Sequence, residues 1–148
     1  MLNNGLMSSK SCEWATPQKF YEELNNEFVF DLDPCATIEN HKCDTFYTKE
    51  INGLKRSWSG HRVFCNPPYG KEIGKWVEKA YKENLLNNVF IVMLLPARTD
   101  TKWFHNWIYK KSNAEIRFIK GRLKFNDGKQ SAPFPSMIVI YGRKGTDY

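Results

Sequence analysis

Apolar positions in this chain follow two spacings, and the switches between them mark out the elements. Phe20, Tyr21 and Leu24 fall at helical intervals with Glu22 and Glu23 between them, directly after Thr16-Pro17. Thr suits a helix N-cap and Pro the first turn, so a helix is predicted from there. Phe28-Val29-Phe30-Asp31-Leu32-Asp33 is rich in strand formers and predicts a strand that stops at Asp33, before Pro34. Residues 36–60 are polar and irregular, with a short strand expected near Thr45–Thr48 and a turn at Asn52-Gly53. Arg62-Val63-Phe64-Cys65 predicts a second clear strand, running into Asn66-Pro67-Pro68-Tyr69. Ile73, Trp76, Val77, Ala80 and Tyr81 then trace an amphipathic helix. The near-continuous apolar run Val89–Leu95 predicts a strand covered on both faces. A helix is expected over Thr101–Lys111, with Trp103, Phe104, Trp107 and Ile108 on one side. Glu115–Phe118 and Met137–Tyr141 predict two further strands, candidates for an antiparallel pair.

Strands alternating with helices imply an open α/β sheet with helices on both faces. Ligands of such sheets lie outside the carboxyl ends of the strands, which singles out the positions after Asp33, Cys65 and Leu95. With 148 residues, one domain is expected after a polar, flexible arm at 1–12. A net charge of +6 and a pI near 9.1 favour a polyanionic partner. No apolar stretch approaches the roughly 20 residues of a spanning helix, and residues 1–10 lack an apolar signal core. The four cysteines form no CxxC pair, so neither a disulfide framework nor a metal site is expected. His61 and His105 have no nucleophile or paired carboxylate arranged around them, which disfavours His-based hydrolysis.

Asn66-Pro67-Pro68-Tyr69 carries the most specific chemistry. Successive prolines fix the backbone and delete two amide donors, leaving outward carbonyls. The Asn66 side-chain oxygen and the Pro67 carbonyl then form a pair of acceptors suited to a planar amine. Holding both its hydrogens draws the amine toward tetrahedral geometry and frees its lone pair. Tyr69 offers a flat face to a heteroaromatic ring. A plain proline turn with Tyr69 packed inside is the competing reading.

Phe64-Cys65-Asn66-Pro67-Pro68-Tyr69 resembles the catalytic motif of amino-methyltransferases that use S-adenosylmethionine. Asp33-Pro34-Cys35-Ala36 resembles their first cofactor motif, and Trp14-Ala15-Thr16-Pro17 the Thr-Pro element that helps hold the methionine end of the cofactor. The order of motifs matches one class of DNA adenine methyltransferases. The whole stretch from Trp14 to about Tyr141 is similar to the small phage-type DNA N-6-adenine methyltransferase family. Trp58, Trp76-Val77, Leu94-Leu95-Pro96-Ala97-Arg98-Thr99-Asp100, Trp103-Phe104 and Gly121-Arg122-Leu123 with Phe125 also carry this likeness. The resemblance implies a compact Rossmann-like class I methyltransferase sheet in minimal form, spanning residues 13–148 without a separate target-recognition domain. It implies S-adenosylmethionine as cofactor, DNA as partner and the cytoplasm of a bacterial host. Sulfonium is already a good leaving group, so no metal is expected, and the short chain without a recognition domain admits a homodimer. One departure stands out: Thr37-Ile38-Glu39-Asn40 replaces the usual glycine-rich turn, the next glycine being Gly53.

Under that resemblance, Asn66, Pro67, Pro68 and Tyr69 are the expected catalytic set. Trp14, Thr16, Pro17, Asp33, Pro34, Cys35, Ala36 and Asn66 are expected at the cofactor. An acid for the ribose hydroxyls comes from Asp44 or Glu50, with Glu50 preferred, and Asn52 is the candidate for the cofactor adenine or else a plain turn residue. Arg98 contacts a phosphate or orders the catalytic loop. Lys120, Arg122, Lys124 and Lys129 around Phe125 suit a phosphate backbone and a base, whereas the lysines from Lys71 to Lys82 alternate with glutamates as a solvated face would. RNA or protein-amide methylation, and a non-catalytic nucleic-acid-binding module, remain the alternatives.

Overall fold

A computed structural model describes residues 14–128 and 130–142. The chain runs α1 (Gln18–Phe28), β1 (Leu32–Asp33), β2 (Thr45–Phe46), a 3-10 turn (Gly53–Lys55), β3 (Arg62–Cys65), α2 (Ile73–Asn87), β4 (Phe90–Pro96), α3 (Lys102–Trp107), β5 (Ala114–Phe118), the helical turn α4 (Phe125–Gly128), β6 (Gln130–Ser131) and β7 (Ser136–Tyr141). Six strands form one mixed sheet in the order β2-β1-β3-β4-β7-β5. The first four are parallel neighbours, while β7 lies antiparallel between β4 and β5. The β5–β7 antiparallel pair is the one the sequence suggested. The sheet is consistent with a class I methyltransferase-like fold.

Register assigns the two faces. Phe64 is opposite Val92, and Val92 opposite Ile140. On that face α1 packs, with Tyr21 against Phe64 and Phe28 against Phe90. Arg117 closes the same face by a paired contact with Glu27 at 2.8 and 2.7 Å. On the other face Tyr141 meets Tyr81 of α2 and donates its hydroxyl to the Trp107 carbonyl of α3 at 2.7 Å. Covering on both faces explains why Ile91–Leu95 and all of β7 are buried.

Three local expectations change. The aromatic run Phe28–Phe30 is split: α1 extends to Phe28, and Val29 adopts a left-handed conformation (φ 57°). The Asn25 side chain accepts the Phe30 N–H at 2.7 Å, so β1 shrinks to Leu32–Asp33. Thr16 does not cap α1, because its hydroxyl is engaged elsewhere and Pro17 takes the N-cap position. The predicted Thr101–Lys111 helix is regular only over Lys102–Trp107, capped by the Thr101 hydroxyl. No helix among the described residues is long and apolar enough to cross a membrane.

Candidate active site

Asn66 leaves the carboxyl end of β3, and its amide is gripped by the segment ahead of α1. Nδ2 donates to the Trp14 carbonyl and to Thr16 Oγ1, the latter at 3.0 Å. A carbonyl can only accept, so the NH2 group must face Trp14 and the oxygen must face away. Oδ1 is buried with no hydrogen-bond partner among the described residues. Leaving a buried acceptor unsatisfied costs about 1–3 kcal/mol, which makes this oxygen a candidate to accept a ligand's hydrogen. Ser136 Oγ is a second buried atom without a partner among the described residues, at the start of β7 opposite Pro96 of β4. Both lie at the sheet end where β3 and β4 finish.

Around Asn66 the structure builds an aromatic cage. Tyr69 donates its hydroxyl to the Leu94 carbonyl at 3.0 Å, and burial holds its pKa well above the ordinary range. Its ring meets Phe125 and Phe134 edge-on at 6.4 and 5.5 Å between centroids. Trp14 completes the set, 5.5 Å from Phe125 and 5.4 Å from Phe134. Phe125 is fully buried, which corrects its expected place as an exposed stacking residue beside DNA: the ring turns inward because three aromatic partners await it. Tyr69 in this state is likewise a packed side chain. The sequence pattern gave no hint of Phe134, which sits between Pro133 and Pro135 in a turn, or of Ser136.

The neighbouring strand end is built from its own loop. Asp33 accepts the Lys42 N–H at 2.9 Å and the Cys35 N–H at 3.4 Å. Burial pushes its pKa up to about 6, with those two N–H groups and the Lys42 charge pulling the other way. Pro34 is buried, and the Ala36 N–H reaches the Tyr47 carbonyl at 3.0 Å. Gly53 lies so close that a Cβ there would stand 2.1 Å from the Pro34 oxygen, so this glycine serves strand-end packing. Fully buried Trp58 anchors the turn through its indole N–H to the Gly53 carbonyl at 3.0 Å. Asn52 takes φ 65° and accepts the Leu54 N–H at 3.2 Å, so its side-chain oxygen acts as a turn cap here. Glu50 and Asp44 are exposed.

At the rim, the Arg98 guanidinium lies 5.9 Å from the Phe134 ring, so the β4 end joins the cage. Lys120, Arg122 and Lys124 are exposed, and none forms an ion pair among the described residues. Lys129 lies outside the described residues. By contrast Lys75 and Lys82 pair with Glu72 and Glu78 on a solvated side of α2, as expected, whereas Lys79 pairs with the buried Glu83 at 2.7 Å, so the expected solvated face is interrupted there. His61 faces Asp31 at 3.2 Å and His105 the Thr99 carbonyl at 2.7 Å, both as ordinary surface partners. Among the described residues no three His, Cys, Asp or Glu side chains are grouped to hold a metal ion.

The DNA N-6-adenine-methyltransferase (Dam) family profile matches residues 4–144. The chain belongs to this family. A DNA N-6-adenine-methyltransferase of Escherichia phage T1 is 36% identical over 135 residues, covering 89% of this chain and 55% of that protein. A DNA N-6-adenine-methyltransferase of Haemophilus phage HP1 is 32% identical over 139 residues, covering 88% of this chain and 79% of its own length. The chain therefore spans about half of the T1 relative. Membership of a DNA N-6-adenine-methyltransferase family implies a methyl donor.

Proposed function

We propose that this chain transfers a methyl group from S-adenosylmethionine to the exocyclic N6 amine of adenine in DNA. The observation that carries this reading is the partnerless Asn66 Oδ1, an oriented acceptor at the end of a parallel strand. The amine hydrogens of a base presented here would be accepted by Asn66 Oδ1 and by the carbonyl of Pro67, whose own residue has no N–H to compete. Held this way, the nitrogen lone pair points out of the ring plane and is free to attack. S-adenosylmethionine supplies, when bound, a methyl group activated by its positive sulfonium. Orientation and electrostatics then provide most of the rate, without a metal. The spare proton leaves the nitrogen after transfer, when that nitrogen is strongly acidic.

The β1 end suits a cationic cofactor. Asp33 is buried enough that ionisation is costly, and a nearby positive charge would offset that cost. Trp14, Thr16, Pro17, Pro34, Cys35 and Ala36 are proposed to enclose the cofactor, with the exposed Glu50 left to reach its ribose. The adenine amine is hidden in the duplex, so the base is flipped out. Admitting a purine requires Phe125 and Phe134 to move off Tyr69, whose freed face then stacks on the base. Arg98, Lys120, Arg122 and Lys124 are proposed to meet phosphates. We place the enzyme in the bacterial cytoplasm, in keeping with relatives from phages of Escherichia and Haemophilus.

The test is methyl transfer from labelled S-adenosylmethionine to unmethylated duplex DNA, with nucleoside analysis. N6-methyladenine is the expected product. Label appearing in RNA or protein amides instead would overturn the substrate, and absence of cofactor binding would overturn the reaction.

A further inference from the structure

We propose that Asn126 is a positioning residue for Asn66, acting through the strap at residues 14–16. The inference rests on the reading of Asn66 as the amine acceptor. Asn126 opens no catalytic motif and stands 60 positions beyond Asn66 in the chain. It adopts φ 56°, a left-handed conformation that Asn tolerates better than most residues. Its main-chain N–H donates to the Ala15 carbonyl at 3.0 Å, and its side-chain Oδ1 accepts the Ala15 N–H at 3.2 Å. Both main-chain groups of Ala15 are thereby clasped by one residue.

Ala15 sits between the two residues that grip the Asn66 amide. Trp14 supplies its carbonyl and Thr16 its hydroxyl to Asn66 Nδ2. Fixing Ala15 on both sides fixes the spacing of those two acceptors, and they in turn decide which way Oδ1 points. An amide free to rotate would present NH2 to the amine half of the time and repel it. The clasp also joins the acceptor to the basic segment, since Asn126 follows Lys120, Arg122 and Lys124 on the same stretch of chain.

Two variants separate the hydrogen bond from the backbone conformation. Asn126→Gly keeps the left-handed turn and deletes the acceptor, while Asn126→Asp keeps both. In single-turnover methyl transfer, Asn126→Gly is expected to lose about tenfold or more in kcat, the scale of one orienting hydrogen bond. Its KM values for DNA and cofactor should stay within about twofold, and Asn126→Asp should recover most of the rate. Wild-type kcat in Asn126→Gly, or equal loss in both variants, overturns the proposal. A second readout needs no activity: the Asn66 side-chain amide resonances, identified by their disappearance in Asn66→Ala, should shift or broaden in Asn126→Gly and remain in place in Asn126→Asp. Unmoved resonances in Asn126→Gly overturn the clasp, whereas a wild type that makes no N6-methyladenine overturns the proposed function and leaves the resonances to decide the clasp.

Discussion

The ends of β1 and β3 are neighbours, with Leu32 opposite Val63, yet they are assembled in contrasting ways. At β1 the hydrogen-bond partners come from nearby in the chain: Asp33 is bonded by Cys35 and Lys42, and Pro34 is packed by Gly53. At β3 the partners of Asn66 stand 50 and 52 positions away, and the cage adds Phe125 and Phe134. The β1 end satisfies both carboxylate oxygens and is suited to hold a ligand. The β3 end leaves one acceptor unsatisfied and is suited to act on one. Local construction gives a rigid floor, and long-range construction gives an oriented but unfinished site.

Breaking the acting side should have the largest effect. Asn66→Ala removes the free acceptor and is expected to lower turnover about 10²–10³-fold, or about 3–4 kcal/mol, by analogy with deleting one oriented polar group from a reaction centre. Cofactor affinity measured by equilibrium titration should stay within about twofold. If affinity collapses together with turnover, the side chain is a structural brace and the contrast between the two ends disappears. Gly53→Ala attacks the holding side. A methyl group 2.1 Å from the Pro34 oxygen cannot be absorbed by a flexible neighbour, so about 2–3 kcal/mol of stability should be lost in urea unfolding. A variant as stable as the wild type would show that the β1 end is not the close-packed floor described.

How far the sequence revealed this contrast follows from the same distances. The strands from Arg62 and Val89, the helix from Ile73 and the proline turn after Cys65 were all readable, because periodicity and prolines are local signals. Asp33 as a strand-end residue was readable for the same reason. The aromatic run at Phe28–Phe30 misled, since a single Asn25 side chain captures the next N–H and ends the helix later than strand propensity suggests. Phe125 misled more deeply: beside lysines it looks like a surface aromatic, and only packing with Trp14 and Phe134, over a hundred positions from one and nine from the other, turns it inward. The surroundings of Phe134, Ser136 and Asn126 exist only in the folded chain, so no spacing along it could have announced them.

Protonation sharpens the holding side further. The Asp33 carboxyl has an ordinary pKa of 3.8 and a folded value of about 6, so the native state binds more protons between those values. Its contribution to stability is therefore full below pH 3.8 and is lost as pH rises to about 6. Binding of a cation needs the ionised form, so the dependence of affinity runs the opposite way. From pH 5 to 7 the ionised fraction grows about tenfold, and S-adenosylmethionine affinity should rise by about that factor. Asn in place of Asp33 should bind weakly and without this slope. A wild-type affinity flat across the range would remove Asp33 from the cofactor.

The smallest expected effect tests whether the segment that cages the β3 end also faces DNA. Lys124 is exposed and forms no ion pair among the described residues, whereas Lys79 is committed to Glu83 at 2.7 Å on α2. A lysine that neutralises one phosphate contributes about one unit to the slope of log affinity against log salt. Lys124→Ala should therefore flatten that slope by about one and weaken duplex binding by a few-fold at moderate salt, with kcat at saturating DNA unchanged. Lys79→Ala should leave the slope as it is, because its charge is already spent on Glu83. Equal slopes for Lys124→Ala and the wild type would detach the caging segment from the DNA surface. The β3 end would then be closed by a lid that DNA does not touch, and the base would have to enter from the side of Arg98.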